Sequence, residues 1–177
     1  MLADLMDDGV DGPAKKAERT TCPCGSGLEY DACCGALHAA GAAADAEPEA
    51  IVRARFSAYV KGDAKFVVSS THPDSPDMRR REDPAEALEQ LEKDAESTMR
   101  SVSFLAIRKV KPAKAGADDE DERFVTYEVS YKGAGKKSRS GSKTLAERSR
   151  YRKHEGRWFY YDALPLNASG TDTEGKI

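Results

Sequence analysis

Only four of the 177 residues are cysteines, and none lies outside positions 22–34. No run approaches the roughly 20 apolar residues that span a bilayer, so no membrane-crossing helix is expected. The opening stretch MLADLMDDGVDG carries Asp4, Asp7, Asp8 and Asp11 but neither the basic n-region nor the apolar h-region of a secretion signal. The expected location is therefore the cytoplasm, where thiols stay reduced. Neither sign of charge is in large excess. The net charge is -3, which argues against bulk attraction to nucleic acid or anionic lipid. No nucleophile–base pair and no nucleotide-binding loop is visible, so the sequence points away from an enzyme.

What is present is a polar but foldable composition, 39% hydrophobic and 33% charged, with room for one ordinary domain and a small appendage. The appendage is the stretch TTCPCGSGLEYDACCGALH. Cys22 and Cys24 form a C-x-C pair, and Cys33 and Cys34 are adjacent. A structural disulfide does not suit a reducing compartment, and a bridge between neighbours is strained. The C-x-x-C spacing of a redox dithiol is absent. Four clustered thiols instead supply the soft tetrahedral donor set of a metal site. Gly25 and Gly27 tolerate the positive φ of the turn that brings the first pair round, and Pro23 stiffens it. His38 is spaced so that it could replace one cysteine as fourth ligand. Four thiolates suit zinc, and iron as well.

The pattern C-P-C-G-S-G-x-x-Y-x-x-C-C over Cys22–Gly35 resembles the SEC-C motif, a zinc-binding tail known from the preprotein translocase motor. The resemblance implies ligands at Cys22, Cys24, Cys33 and Cys34, which makes Cys34 the fourth ligand. Leu28-Glu29-Tyr30-Asp31 stands where many such motifs carry lysines.

Beyond the cysteines, an Ala-rich stretch over 39–48 reads as a linker ending at Pro48. Helical spacing follows through EAIVRARFSAYVKGD, stopped by Gly62, and again through PAEALEQLEKDAESTMR, where Leu88, Leu91 and Ala95 are expected on one face. Four strand patterns come after: SVSFLAIRKV, RFVTYEVSYK, KTLAERSRYRK and GRWFYYDALP. Helices first and an antiparallel sheet afterwards give an α+β domain, with helices on one face of a curved, cone-like sheet and a small N-terminal metal knuckle. This order resembles the nuclear-transport-factor-2-like fold. VRARFSAYV, STHP, ERSRY and GRWFYYDA together resemble the YchJ-like family of uncharacterised bacterial proteins.

The expected division is a disordered acidic N-terminus (1–19), the knuckle (20–38), the linker (39–48), the cone (49–166) and a disordered tail (167–177). The linker shows no strong core pattern, so knuckle and cone are expected to fold separately. Arg55, His72, Glu147, Tyr160 and Asp162 are the candidate pocket residues. Period-two alternation places Glu147 with Leu145, Ser149 and Tyr151, and Asp162 with Trp158 and Tyr160. Arg55 could pair with Glu147. Lys136, Lys137, Arg139 and Lys143, followed by Arg148, Arg150 and Arg152, make the concentrated basic patch. Phosphate contact is one reading of it, and a solvated outer strand face is the favoured one. The partner expected is a protein held through the knuckle. A small molecule in the cone or RNA on the basic hairpin are the alternatives, and no membrane is expected.

Overall fold

The computed structural model describes residues 21–41, 44–112, 114–115, 120–134 and 141–166. The expected disordered ends, and Lys136, Lys137 and Arg139 of the basic loop, lie outside the described residues.

Among the described residues, five helical segments precede the sheet. They are α1 (Cys34–Ala40), α2 (Pro48–Lys61), α3 (Ala64–Ser69), a 3-10 turn (Met78–Arg80) and α4 (Pro84–Ser101). Local chemistry sets their ends. Pro48 sits in the first turn of α2, where a missing N–H costs nothing, and Gly62 closes it with a left-handed φ of 78°. The Asp63 side chain caps α3 by accepting from the Phe66 amide, and Asp83 caps α4 by accepting from the Ala85 amide at 2.7 Å.

The sheet holds β1 (Val102–Arg108), β2 (Lys114–Ala115), β3 (Glu122–Gly133), β4 (Lys143–His154) and β5 (Arg157–Pro165). All neighbours are antiparallel in the order β1-β3-β4-β5, with β2 beside β3. Glu155 and Gly156, both at positive φ, make the two-residue turn between β4 and β5, matching the twist of the strands they join. The free edge of β5 is covered: Ser70–His72 runs parallel to it, with the His72 amide donating to the Tyr160 carbonyl and the Tyr160 amide to that of Ser70.

Helix α2 lies between two apolar clusters. Val52 and Phe56 face the sheet, where they meet Ile107, Val125, Val129, Tyr151 and Trp158. Ala54 and Ala58, one turn apart, face the other way and pack with Phe66, Val67, Ala95 and the buried cysteines. Residues 21–40 thus pack in one cluster with α2, α3 and α4, and the knuckle lies against the cone. On α4 the inward stripe is Ala87 and Ala95, while Leu88, expected inside, is 44% exposed. It sits one position off the seam.

Candidate functional site

Residues 21–33 form a tight double turn that leads into α1. The Cys22 amide donates to the Leu28 carbonyl, and the Cys33 and Gly35 amides both donate to the Tyr30 carbonyl. Gly25 and Gly27 take φ of 75° and 78°, as the turn required. Gly35 is needed for a different reason: a Cβ there would lie 2.8 Å from the Tyr30 carbonyl oxygen.

The folding of this loop brings all four sulfurs within 4.8 Å of one another. Cys24 and Cys33 Sγ are 3.6 Å apart and Cys33 and Cys34 Sγ 4.0 Å, so all four are free thiols and none is bridged. Four ligands in a tetrahedron with metal–sulfur bonds of about 2.3 Å stand roughly 3.8 Å apart, so the donor set fits a metal ion. Its electrostatics point the same way. Burial raises the Cys22 thiol, but the amides of Cys24 and Cys34, with the Ser57 hydroxyl, outweigh it and bring the group down to about 6. Burial and the neighbouring sulfurs push Cys34 far up, and burial likewise raises Cys33. Four thiolates cannot share this space without a cation among them.

The knuckle is fastened to α2 by polar contacts as well. Arg53 Nη1 donates to the Cys24 carbonyl at 3.0 Å, and Ser57 Oγ lies 3.6 Å from Cys22 Sγ. His38 is one of these clamps. Its Nε2 donates to the Ala54 carbonyl at 2.8 Å, which leaves Nδ1 to accept the Tyr30 hydroxyl at 2.6 Å. Both ring nitrogens are thus engaged away from the sulfurs.

The second site is a cavity of about 340 Å³ between α2 and the inner face of the sheet. Of the five candidate pocket residues, it gathers Arg55, Glu147 and Tyr160. The expected Arg55–Glu147 pair does not form. Arg55 Nη1 donates to the Val67 carbonyl and to the Ser70 and Thr71 hydroxyls, and its guanidinium stacks on Tyr160 at 4.0 Å. The end of α3 offers one carbonyl and two hydroxyls nearer than the carboxylate. Glu147 Oε1 accepts instead from the Tyr127 and Ser149 hydroxyls. Tyr127 and Tyr131, which alternate with Val125 and Val129 along the strand but are not among the five candidates, also line the cavity. The alternation of β3 is the signal that puts them on the cavity face. Burial and the charge of Glu147 raise Tyr127, and burial raises Tyr151 and Tyr160, so these phenols stay protonated.

His72 and Asp162 lie elsewhere. His72 Nδ1 accepts the Asp74 amide, Nε2 faces the Lys153 carbonyl at 3.4 Å, and the ring packs beside His154, Phe159 and Tyr161. Asp162 is turned away by a bulge. Arg150 pairs with Asp162 and Tyr151 with Tyr160, leaving Tyr161 as the extra residue, so Asp162 shares the outer face with Arg150. There Arg150 Nε donates to Asp162 Oδ1 at 2.9 Å. Arg150 and Arg152 each lie 3.6 Å from Glu122, and Arg148 stacks on Phe124.

Comparison with known families now bears on both sites. The YchJ middle NTF2-like domain matches residues 47–163, and the SEC-C motif matches residues 20–36. The chain belongs to the YchJ-like family. A UPF0225 protein of Pectobacterium carotovorum is 33% identical over 146 residues, covering 81% of this chain and 83% of that one. Another, from Streptomyces coelicolor, is 30% identical over 141 residues, covering 80% and 92%. The solution structure of a SEC-C motif containing protein from Rhodopseudomonas palustris superposes with a TM-score of 0.61 at 28% identity, covering 84% of this chain and 100% of that one. A SEC-C motif protein from Psychrobacter arcticus shares the fold, with a TM-score of 0.56 at 18% identity over 89% of this chain and 85% of that one. In this YchJ-like chain the motif and the NTF2-like domain are joined through the cysteine–alanine core. No helix among the described residues is long and apolar enough to cross a membrane.

Proposed function

We propose that this protein is a cytoplasmic zinc-binding adaptor, in which a thiolate-held metal fixes a short loop as a contact surface for a protein partner. The observation that carries the reading is the two-sidedness of the knuckle. Cys22, Cys24 and Cys34 are buried against α2, whereas residues 25–29 face outward and Leu28 is 55% exposed. A glycine-rich loop would ordinarily lose much freedom on binding, and a metal at its base orders it beforehand. Glu29 and Asp31 follow Leu28 in the chain, so the partner offers an apolar pocket with a basic rim. Cys22, Cys24, Cys33 and Cys34 are the ligands in this reading, and a closed set of four thiolates suits a structural, redox-silent zinc. The outer-face arginines lie against acidic and aromatic partners within the sheet, which supports the adaptor over an RNA-binding reading.

Elemental analysis and a pull-down from the native source test this together. One zinc per chain is expected, and iron in its place would replace the cofactor. Leu28→Glu should keep the metal and lose the partner. The same partners captured by both proteins would reject the adaptor.

A further inference from the structure

We infer that the cone cavity is a binding site for a small organic amine, held by its ammonium group on Glu147 and by its apolar body on the aromatic walls. The cavity, at about 340 Å³, is at the low end of the ~300–1,000 Å³ range of small-molecule sites. Its lining is aromatic and aliphatic for the most part, with Phe56, Phe104, Tyr127, Tyr151 and Tyr160 among the rings. Electron-rich ring faces attract a cation within about 6 Å. The phenols of Tyr127, Tyr151 and Tyr160 remain neutral because burial raises them, so the aromatic part of the wall carries no charge of its own.

The charged groups decide the class of ligand. Glu147 stands at the middle of β4 with its Oε1 anchored by two hydroxyls, Tyr127 and Ser149. Among the described residues no lysine, arginine or histidine forms an ion pair with it. The cation that also lines the cavity, Arg55, is turned to the end of α3 by three acceptors and covers one face of Tyr160. Glu147 is half-buried and held by hydroxyls alone, so an ammonium group on the ligand supplies the counter-charge that the protein does not, through a charge-assisted hydrogen bond. The hydroxyls on Oε1 hold the carboxylate in place and so preorganise the site.

Three probes of one shape separate the classes: 2-phenylethylamine, 3-phenylpropionate and 2-phenylethanol. Each is titrated into the full, metal-loaded chain and followed by calorimetry and by amide chemical shifts. The amine should bind and shift the amides of α2, β3 and β4. Glu147→Gln, which retains an acceptor for Tyr127, should weaken it about tenfold or more while leaving the circular dichroism unchanged. Ala163→Leu, which fills the cavity from β5, should abolish binding and keeps the test decisive if the glutamine variant misfolds. Binding of the carboxylate in preference to the amine would overturn the inference, as would binding of none of the three or amine binding equal in wild type and Glu147→Gln.

Discussion

Helix α2 separates two regions made of different materials. On the knuckle side it presents Ala54, Ser57 and Ala58, small groups that allow a sulfur-lined loop to approach the helix backbone. On the sheet side it presents Val52 and Phe56, with Tyr59 at the cavity, large groups that fill much of the cone and still leave space. One side is closed and gathers four sulfurs within 4.8 Å of one another, a donor set that fits a metal. The other is open and rich in apolar area, and depends on burial. A small module gains order from coordination where it cannot gain it from a core, and here the two means of support meet on a single helix.

The strongest challenge to this contrast is removal of the metal. Coordination by a small thiolate knuckle carries on the order of 10–16 kcal/mol. Chelation should disorder residues 21–40 and also lower the melting temperature of the sheet, since Ala54, Ala58 and Phe66 lose their cover. Amide spectra with and without chelator, together with thermal melts, read both effects. A sheet that melts at the same temperature in either state would show that the two sides are energetically independent.

A matched pair of substitutions is next in size. Phe56→Ala should cost about 3–5 kcal/mol through the void it leaves beside the sheet, with metal content unchanged. Ala58→Leu should cost about 1–3 kcal/mol by overpacking, and it should weaken metal retention against a competing chelator. Denaturant midpoints and metal competition measured on both variants check the pair. Metal loss on Phe56→Ala would mean that α2 transmits strain between its faces.

Acidification gives the smallest effect and tests a residue outside both regions. Burial lowers the proton affinity of His72, so folding disfavours its charged form. Above histidine's ordinary value of about 6.5 the ring is neutral in both states and imposes no penalty. Below it the unfolded chain takes up a proton that the folded chain resists, so stability falls as pH drops. His72→Asn should show a shallower decline between about pH 6.5 and 5. Protonation of the metal-binding thiols contributes equally to both proteins and cancels. Identical slopes would remove His72 from the account.

The sequence reveals those parts of the molecule that depend on local periodicity. Four strands, two long helices and the meeting of four thiols follow from alternation, helical spacing and turn chemistry within short windows. The parts it conceals depend on distant atoms. Ala54 and Ala58 look like ordinary helix formers, and nothing local says that a loop of cysteines rests on them. Arg55 and Glu147 have complementary charges, yet the carbonyl at the end of α3 and two hydroxyls are better placed, a matter of tertiary distance. Alternation extended through Tyr161 puts Asp162 inward, and a bulge leaves no mark in a pattern of apolar and polar residues.

That bulge also bears on how the strand can change in length. Tyr161 is the one residue of β5 between Asp162 and Tyr160 that has no partner across the ladder. Deleting it would leave Asp162 opposite Arg150 and Tyr160 opposite Tyr151, and the ladder would simply become regular. A deletion within the regularly paired stretch 157–160 would instead shift the residues before it by one place and turn their inward side chains to solvent. Position 161 is therefore where β5 can lose a residue while keeping its reading frame of inside and outside.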